Sequence, residues 1–100
     1  MTKKPYFCIL LTTHNGINWV QKQINSILNQ NNVDVDIYIS DDYSNDGTYE
    51  YLKKIETSNI ILLKRDTKFK LAAKNFFRMI KDISVNKYDY IGFSDQDDIW

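Results

Sequence analysis

The sequence ends in an acidic run, SDQDD, that follows a short apolar segment. Asp95, Asp97 and Asp98 occupy three of four consecutive positions, and carboxylates at such short range repel one another. A second acidic pair, Asp41 and Asp42, follows another apolar segment earlier in the chain. Because close carboxylates raise one another's pKa unless a positive group lies among them, both clusters are candidates for a cation site.

A divalent cation, Mg²⁺ or Mn²⁺, is the positive group that this ligand set favours, since both ions prefer hard oxygen donors. Zn²⁺ is disfavoured because the chain has one histidine and one cysteine. In an extended segment Asp95 and Asp97 point to one side and Asp98 to the other. We therefore predict Asp97 as the principal ligand, assisted by Asp95 or Asp98, in a site that shares the phosphates of a substrate.

Structural roles compete with this interpretation. Asp41, Asp42 and Asp46 are of a type frequent in turns and at helix caps, and the final acidic run is also compatible with a solvated loop. Taken alone, the Asp41–Asp42 pair is more often structural than functional, but two clusters at one edge of a sheet would favour a site. His14 is equally compatible with an ordinary loop histidine, and Cys8, inside YFCILL, with a buried hydrophobic residue.

Strands must bring those clusters together. The sequence predicts four of them, near residues 6–12, 35–40, 60–63 and 88–93. The first is a continuous apolar run, typical of a strand that is buried on both faces. The second alternates apolar residues with Asp36, Tyr38 and Ser40, which is the period of a β-strand. The aromatic residues Tyr88, Tyr90 and Phe93 of the last predicted strand are predicted to lie in the core.

Helices are predicted between the strands. Apolar residues recur at helical spacing over residues 17–28, 48–55 and 71–83. Asn15 or Asn18 is predicted to cap the first helix, and Ser44 or Asn45 the second. The order β-α-β-α-β-α-β predicts an α/β protein with a mainly parallel sheet, right-handed crossovers and helices on both faces.

The carboxyl ends of parallel strands are where such sheets bind ligands. Three predicted strand exits are strongly polar, and they read TTHN after the first strand, DD after the second and DQDD after the fourth. The turns at the opposite edge look like ordinary loops. The sequence therefore predicts one site in which the carboxylates of two exits collect.

The overall composition excludes several classes of protein. One hundred residues with 43% hydrophobic content suffice for one small folded domain. Thirteen basic and 13 acidic residues give a formal net charge of zero, so nothing draws the whole chain to nucleic acid. The single cysteine forbids an internal disulfide, and we expect a reducing, cytoplasmic environment. The longest apolar run is too short to span a bilayer.

The segments CILLTTHNG, INSILNQ, IYISDDYSNDGT and YIGFSDQDDIW together resemble the N-terminal half of the family 2 glycosyltransferases, and the ending is most similar to bacterial rhamnosyltransferase-type members. The resemblance covers nearly the whole chain. It implies a GT-A fold, a Rossmann-like three-layer sandwich, of which residues 1–100 would be the nucleotide-sugar-binding half, truncated at the C-terminus.

The resemblance also implies an activity, namely sugar transfer from a nucleotide-diphosphate donor to a glycan or lipid-linked acceptor. Cell-surface polysaccharide synthesis at the inner face of the membrane, with peripheral membrane association of the full-length protein, is expected at the level of the family. By position, nucleotide binding would involve Thr12, His14, Asn15, Asp41, Asp42, Lys74 and Asp95.

The metal site and the general base follow from the same resemblance. Asp95 and Asp97 match the family's DxD motif, and Asp97 and Asp98 would hold Mg²⁺ or Mn²⁺. His14 stands where many relatives carry tyrosine. The base that takes the acceptor's proton is expected beyond Trp100, so the resemblance assigns no catalytic residue within this chain.

Two other interpretations stay open. A non-catalytic nucleotide-binding fragment, without the acceptor half and the general base, fits the same motifs. A phospho-acceptor receiver domain also places paired aspartates on a βα scaffold. Such a domain carries its acidic pair after the first strand, however, where this chain has TTHN.

Overall fold

The structure is a computed structural model that describes residues 4–30, 32–63 and 88–95. Four strands form one parallel sheet, namely β1 (Tyr6–Thr13), β2 (Asp34–Asp41), β3 (Ile60–Leu62) and β4 (Tyr90–Asp95). Two helices are α1 (Val20–Leu28) and α2 (Thr48–Lys54). The predicted α/β class and parallel sheet are confirmed, and the predicted third helix, over residues 71–83, lies outside the described residues.

The order of the strands creates a crevice at one edge of the sheet. Across the sheet they run β3-β2-β1-β4, so the chain moves one way from β1 to β3 and then returns to the far side of β1. Such a reversal is a topological switch point, where open α/β sheets bind ligands at the carboxyl ends of the strands. Thr13 lies beside Asp41 and Thr12 lies beside Asp95, so the predicted meeting of these strand exits is confirmed.

The larger part of the core lies on the face of the sheet that α1 and α2 cover. It is formed by alternate residues of the strands and by one stripe from each helix, namely Ile9, Leu11, Val20, Ile24, Ile27, Ile37, Ile39, Leu52 and Ile60. Each large aliphatic side chain removed from water contributes roughly 1.5–3 kcal/mol. This packing fixes where the two helices begin, and hence the loops that precede them.

On the opposite face Cys8 and Leu10 are fully buried, with Tyr38, Leu63 and Tyr88 packed against them. The prediction that β1 is buried on both faces is therefore confirmed, as is the assignment of Cys8 to the core. The predicted strand at β2 is confirmed, and its polar residues Asp36 and Ser40 are buried as well, at 3% and 2% exposure.

Asp36 is buried because its neighbours supply hydrogen bonds. Its carboxylate accepts from the Tyr6 hydroxyl at 2.5 Å, the Tyr88 hydroxyl at 2.7 Å and the Asn59 Nδ2 at 2.9 Å. The Tyr38 hydroxyl lies 3.0 Å from that of Tyr88. We call these five residues the Asp36 cluster, and it joins β1, β2 and the segments before β3 and β4 at the amino edge of the sheet.

Two tyrosines of the Asp36 cluster, Tyr6 and Tyr88, have side-chain pKa values raised by their surroundings. The hydrogen bond to Asp36, with desolvation, raises the pKa of Tyr6 to about 12. Burial, followed by the hydrogen bonds to Tyr38 and Asp36, raises the pKa of Tyr88. The Asp36 cluster therefore contributes stability on the side of the sheet away from the predicted site.

The starts of both helices differ from the predictions. α1 begins at Val20 after an N-cap position at Trp19, which makes no side-chain cap, so neither Asn15 nor Asn18 is the cap. The N-cap of α2 is Gly47, in a left-handed conformation, so Ser44 and Asn45 are not caps either. The side chains of Asn15 and Ser44 instead hydrogen-bond to the other loop, as described below.

The predicted core role of two β4 aromatics is also wrong. Tyr90 is 57% exposed and Phe93 is 50% exposed. The reason is the strand order, because β4 pairs with β1 alone at the edge of the described sheet.

Candidate functional site

Two loops meet at the carboxyl edge of the sheet. The first loop, residues 14–19, connects β1 to α1, and the second loop, residues 42–47, connects β2 to α2. The His14 ring Nδ1 lies 2.7 Å from the carbonyl oxygen of Asp42. The Asn45 N–H donates to Asn15 Oδ1 at 2.7 Å. These bonds run between the loops, so they fix one loop against the other.

Asp46 and Thr48 extend the connection to the start of α1. The Gly16 N–H donates to Thr48 Oγ1 at 3.0 Å, and the Ile17 N–H donates to Asp46 Oδ2 at 3.2 Å. Asp46 also accepts from the hydroxyl and N–H of Thr48. Partial desolvation would raise the pKa of Asp46, but the hydrogen bonds from Thr48 and Ile17 outweigh it and lower that pKa.

Asp41 is buried at the point where the two loops meet. It is 5% exposed, and its Oδ1 accepts from the Thr13 hydroxyl at 2.6 Å and the Ser44 hydroxyl at 2.5 Å. Its Oδ2 accepts from the Ser44 N–H at 3.0 Å, and Ser44 Oγ accepts from the Asn15 N–H at 2.8 Å. We call these four residues, Thr13, Asp41, Ser44 and Asn15, the Asp41 relay.

The backbone is strained at the same edge. Asn15 and Tyr43 both have φ of 50°, the left-handed region. Asparagine tolerates this region, but a bulky aromatic residue rarely adopts it. Such residues persist only where the surroundings hold them, and they concentrate at functional sites. The strain therefore agrees with a ligand site at these loops.

The structure brings most of the predicted site residues to this edge. Thr12 is buried at the end of β1, His14 is exposed, and Asn15 and Asp42 are half-buried. Asp95 ends β4 beside Thr12. Lys74, Asp97 and Asp98 lie outside the described residues, so the predicted metal ligands are not described.

Sequence reasoning missed Thr13 and Gly16, and it gave Ser44 and Thr48 only helical roles. One signal was present for Ser44, which stands three residues after Asp41 in a segment rich in turn-forming residues. Thr13 stands in the polar TTHN exit, but no local pattern marks its partner, which is set by strand register.

Most side chains at this edge carry oxygen donors, and Cys8 is fully buried in the core, away from the loops. Among the described residues, no group of three or more histidine, cysteine or acidic side chains could hold a metal ion. The acidic run DQDD begins with the last residue of β4, and Asp97 and Asp98 of that run lie outside the described residues.

Comparison with known proteins decides the family. The model of the family described as Glycosyl transferase family 2 matches residues 8–100. The chain belongs to glycosyltransferase family 2. Its two locked loops and the end of β4 thus lie in the matched region of a family 2 chain.

Two curated relatives are similar over nearly the whole chain. The dTDP-rhamnosyl transferase RfbG of Shigella flexneri is 46% identical over 93 residues, which are 90% of this chain and 32% of RfbG. This confirms the predicted similarity to rhamnosyltransferase-type members. The UDP-Glc:alpha-D-GlcNAc-diphosphoundecaprenol beta-1,3-glucosyltransferase WfaP of Escherichia coli is 31% identical over 93 residues, covering 92% of this chain and 35% of WfaP. The chain thus spans about a third of each relative.

A solved structure supports the fold. The crystal structure of S. aureus TarS 1-349 matches with a TM-score of 0.77 over 93% of this chain and 28% of that TarS chain, at 21% sequence identity. At that identity the match shows the fold alone, and it confirms the predicted GT-A type. In the described part of the chain, neither helix is long and apolar enough to cross a membrane.

Proposed function

We propose that this chain binds the nucleotide-diphosphate part of a sugar donor at the carboxyl edge of β1, β2 and β4. The observation that carries the proposal is the pair of loops locked together beside the switch point, where a sheet of this topology binds ligands. The names of both curated relatives specify a nucleotide-diphosphate sugar, which supports this class of ligand.

The loops supply the proposed nucleotide contacts. Thr12, His14 and Asn15 would lie along the nucleotide, and the pair Asp41–Asp42 would contact its base. Within that pair Asp42 is more accessible to a ligand, because it is half-buried whereas Asp41 is only 5% exposed. The His14 Nδ1 donates to the Asp42 carbonyl, which makes Nε2 the acceptor nitrogen of the neutral ring.

Asp97 and Asp98 are the proposed ligands of Mg²⁺ or Mn²⁺, with Asp95 assisting and Lys74 near the diphosphate. When bound, such an ion neutralises the charge that develops on a departing diphosphate. Family 2 membership and the acidic run that follows β4 support this proposal. We propose none of the described residues as the general base.

For the longer protein we propose transfer of the sugar to a glycan or lipid-linked acceptor in cell-surface polysaccharide synthesis. The name of WfaP specifies an acceptor carried on diphosphoundecaprenol, and this supports the lipid-linked class. Such acceptors would place the protein in the cytoplasm at the inner face of the membrane. Sedimentation of the longer protein with vesicles that contain a lipid-linked glycan tests the location.

A second candidate is nucleotide binding without turnover by the 100-residue chain itself. It is favoured because the chain spans only about a third of the length of each relative. This candidate predicts that the chain binds dTDP but hydrolyses a dTDP-sugar no faster than buffer does. Hydrolysis at the rate of a full-length family member would contradict it.

Calorimetry tests the binding proposal. We expect dTDP or UDP to bind the chain in the presence of MnCl₂, and binding to be lost without metal and in Asp97→Ala. The matched control is Asp34→Asn, which removes the same charge from an exposed residue at the opposite end of β2. Affinity that is indifferent both to metal and to Asp97→Ala would contradict the metal assignment.

A further inference from the structure

The two aspartates at the end of β2, Asp41 and Asp42, lie in different surroundings. We propose that Asp41 is a positioning residue, which locks the first loop to the second through Ser44, and that Asp42 alone of the pair contacts the ligand. This inference rests on the proposed nucleotide site and assigns different roles to two neighbouring residues within it.

Both carboxylate oxygens of Asp41 are already engaged by the protein. Oδ1 accepts from two hydroxyls at 2.6 and 2.5 Å, and Oδ2 accepts from the Ser44 N–H at 3.0 Å. Thr13, Asp41 and Ser44 are 2%, 5% and 7% exposed. Because Asp41 is buried behind the groups that donate to it, a nucleotide could reach it only by displacing short, charge-assisted hydrogen bonds, which are about twice as strong as neutral ones.

The negative charge of Asp41 also determines which groups donate and which accept hydrogen bonds in the Asp41 relay. A carboxylate only accepts hydrogen bonds, so the Ser44 hydroxyl must give its single hydrogen to Asp41. Ser44 Oγ is then oriented as an acceptor, and the Asn15 N–H donates to it at 2.8 Å. In this way Asp41 acts on the first loop without touching a ligand.

Tyr43 shows what the relay holds in place. Its φ of 50° lies in the left-handed region, which is a strained conformation for a bulky residue. The bonds from Ser44 back to Asp41 close the turn around it. If they were lost, Tyr43 would relax and move the carbonyl of Asp42, which accepts the Nδ1–H of His14.

His14 therefore reports on the relay, and it is the single histidine of the chain. Imidazole ¹⁵N spectra at about pH 9, well above the ordinary imidazole pKa, show which ring nitrogen carries the hydrogen. We expect the Nδ1–H tautomer in the unaltered chain. Asp41→Asn and Ser44→Ala should reduce it, whereas Asp42→Asn should retain it, because that substitution leaves the backbone carbonyl unchanged.

Binding separates positioning from contact. With dTDP and MnCl₂ we expect Asp41→Asn and Ser44→Ala each to weaken binding about tenfold, the effect of losing one hydrogen bond of about 1.4 kcal/mol. The double variant should bind no more weakly than either single variant, because both changes break the same relay. A direct contact from Asp41 would instead leave Ser44→Ala near the unaltered affinity and make the two effects additive.

Two controls keep the test decisive. Thr13→Ser retains the hydroxyl and should keep both the tautomer and the affinity, while Thr13→Val removes the hydroxyl and should lower both. If the unaltered chain bound no dTDP, the proposed function would fail, but the spectra of the ligand-free chain would still decide the relay. A His14 spectrum unchanged by both Asp41→Asn and Ser44→Ala would overturn the inference.

Discussion

Removal of one hydroxyl from the Asp36 cluster is expected to destabilise the whole sheet. In Tyr6→Phe the ring remains, and its edge-on contact with Tyr88, at a centroid distance of 4.8 Å, is preserved. The change removes the hydrogen bond of 2.5 Å to the buried carboxylate of Asp36. That leaves Asp36 with the hydrogen bonds from Tyr88 and Asn59.

The size of the effect follows from the geometry. Hydrogen bonds to charged groups contribute about 1.5–3 kcal/mol. Tyr6 is half-buried, so water can partly replace its hydroxyl, and we expect a loss near the lower end, about 1.5 kcal/mol. For a domain of this size the midpoint of thermal unfolding should fall by roughly 6–12 °C.

The pH dependence gives a second signature of the same bond. The pKa of Tyr6 is raised from 10.0 to about 12 in the folded state. The stability that its proton provides is therefore complete below pH 10 and is lost as the pH rises through 12. The difference in unfolding free energy between the unaltered chain and Tyr6→Phe should stay constant up to pH 10 and shrink above it.

Urea denaturation followed by circular dichroism, at about pH 8 and about pH 11, measures both signatures. Tyr90→Phe is the matched control, because its ring is 57% exposed, and it should change stability by no more than about 0.5 kcal/mol. A loss for Tyr6→Phe that is no larger than this control, or is the same at both pH values, would refute the reasoning.

Three further predictions concern the loops and the core. Gly47→Ala should cost roughly 1–2 kcal/mol in urea denaturation, because Gly47 has φ of 96° although no atom lies within 4 Å of an added Cβ. Leu11→Ala should cost about 2–5 kcal/mol by the same assay, and Leu28→Ala, at a residue 37% exposed, far less. Because the pKa of Asp46 is lowered from 3.8 in the folded chain, stability should fall as the pH drops below 3.8, and thermal melts of Asp46→Asn should show a weaker fall.

The fold was predictable because its main determinants are local in the sequence. The apolar run that forms β1 and the alternation of strands with helices predict a parallel sheet by themselves. Once the sheet is parallel, the exits after β1, β2 and β4 must meet at one edge. The position of the site thus followed from the order of the elements.

The details that the sequence did not predict depend on contacts between distant residues. No local pattern showed that Asp36 would be buried, because its donors Tyr6 and Tyr88 lie 30 and 52 positions away. Tyr90 and Phe93 looked like core residues, yet the strand order places β4 at the described edge. Neither set of contacts leaves a local pattern.

The same holds for the helix starts. Asn15 and Ser44 have the side chains of good N-caps, but each hydrogen-bonds to the other loop instead. The loops approach closely because the Thr13–Asp41 pair lies in register at the ends of β1 and β2. The residue types predict that these side chains form hydrogen bonds, but their partners depend on the tertiary structure.

Titration of the ¹⁵N-labelled chain with dTDP and MgCl₂ tests most directly whether the carboxyl edge of the sheet binds the nucleotide. We predict saturable shift changes in the backbone amides of the first loop, residues 14–19, and the second loop, residues 42–47. The amides of Tyr6, Asn59 and Tyr88, at the opposite edge, should stay unchanged. Shifts confined to that opposite edge, or no shifts at all at saturating nucleotide, would contradict the account.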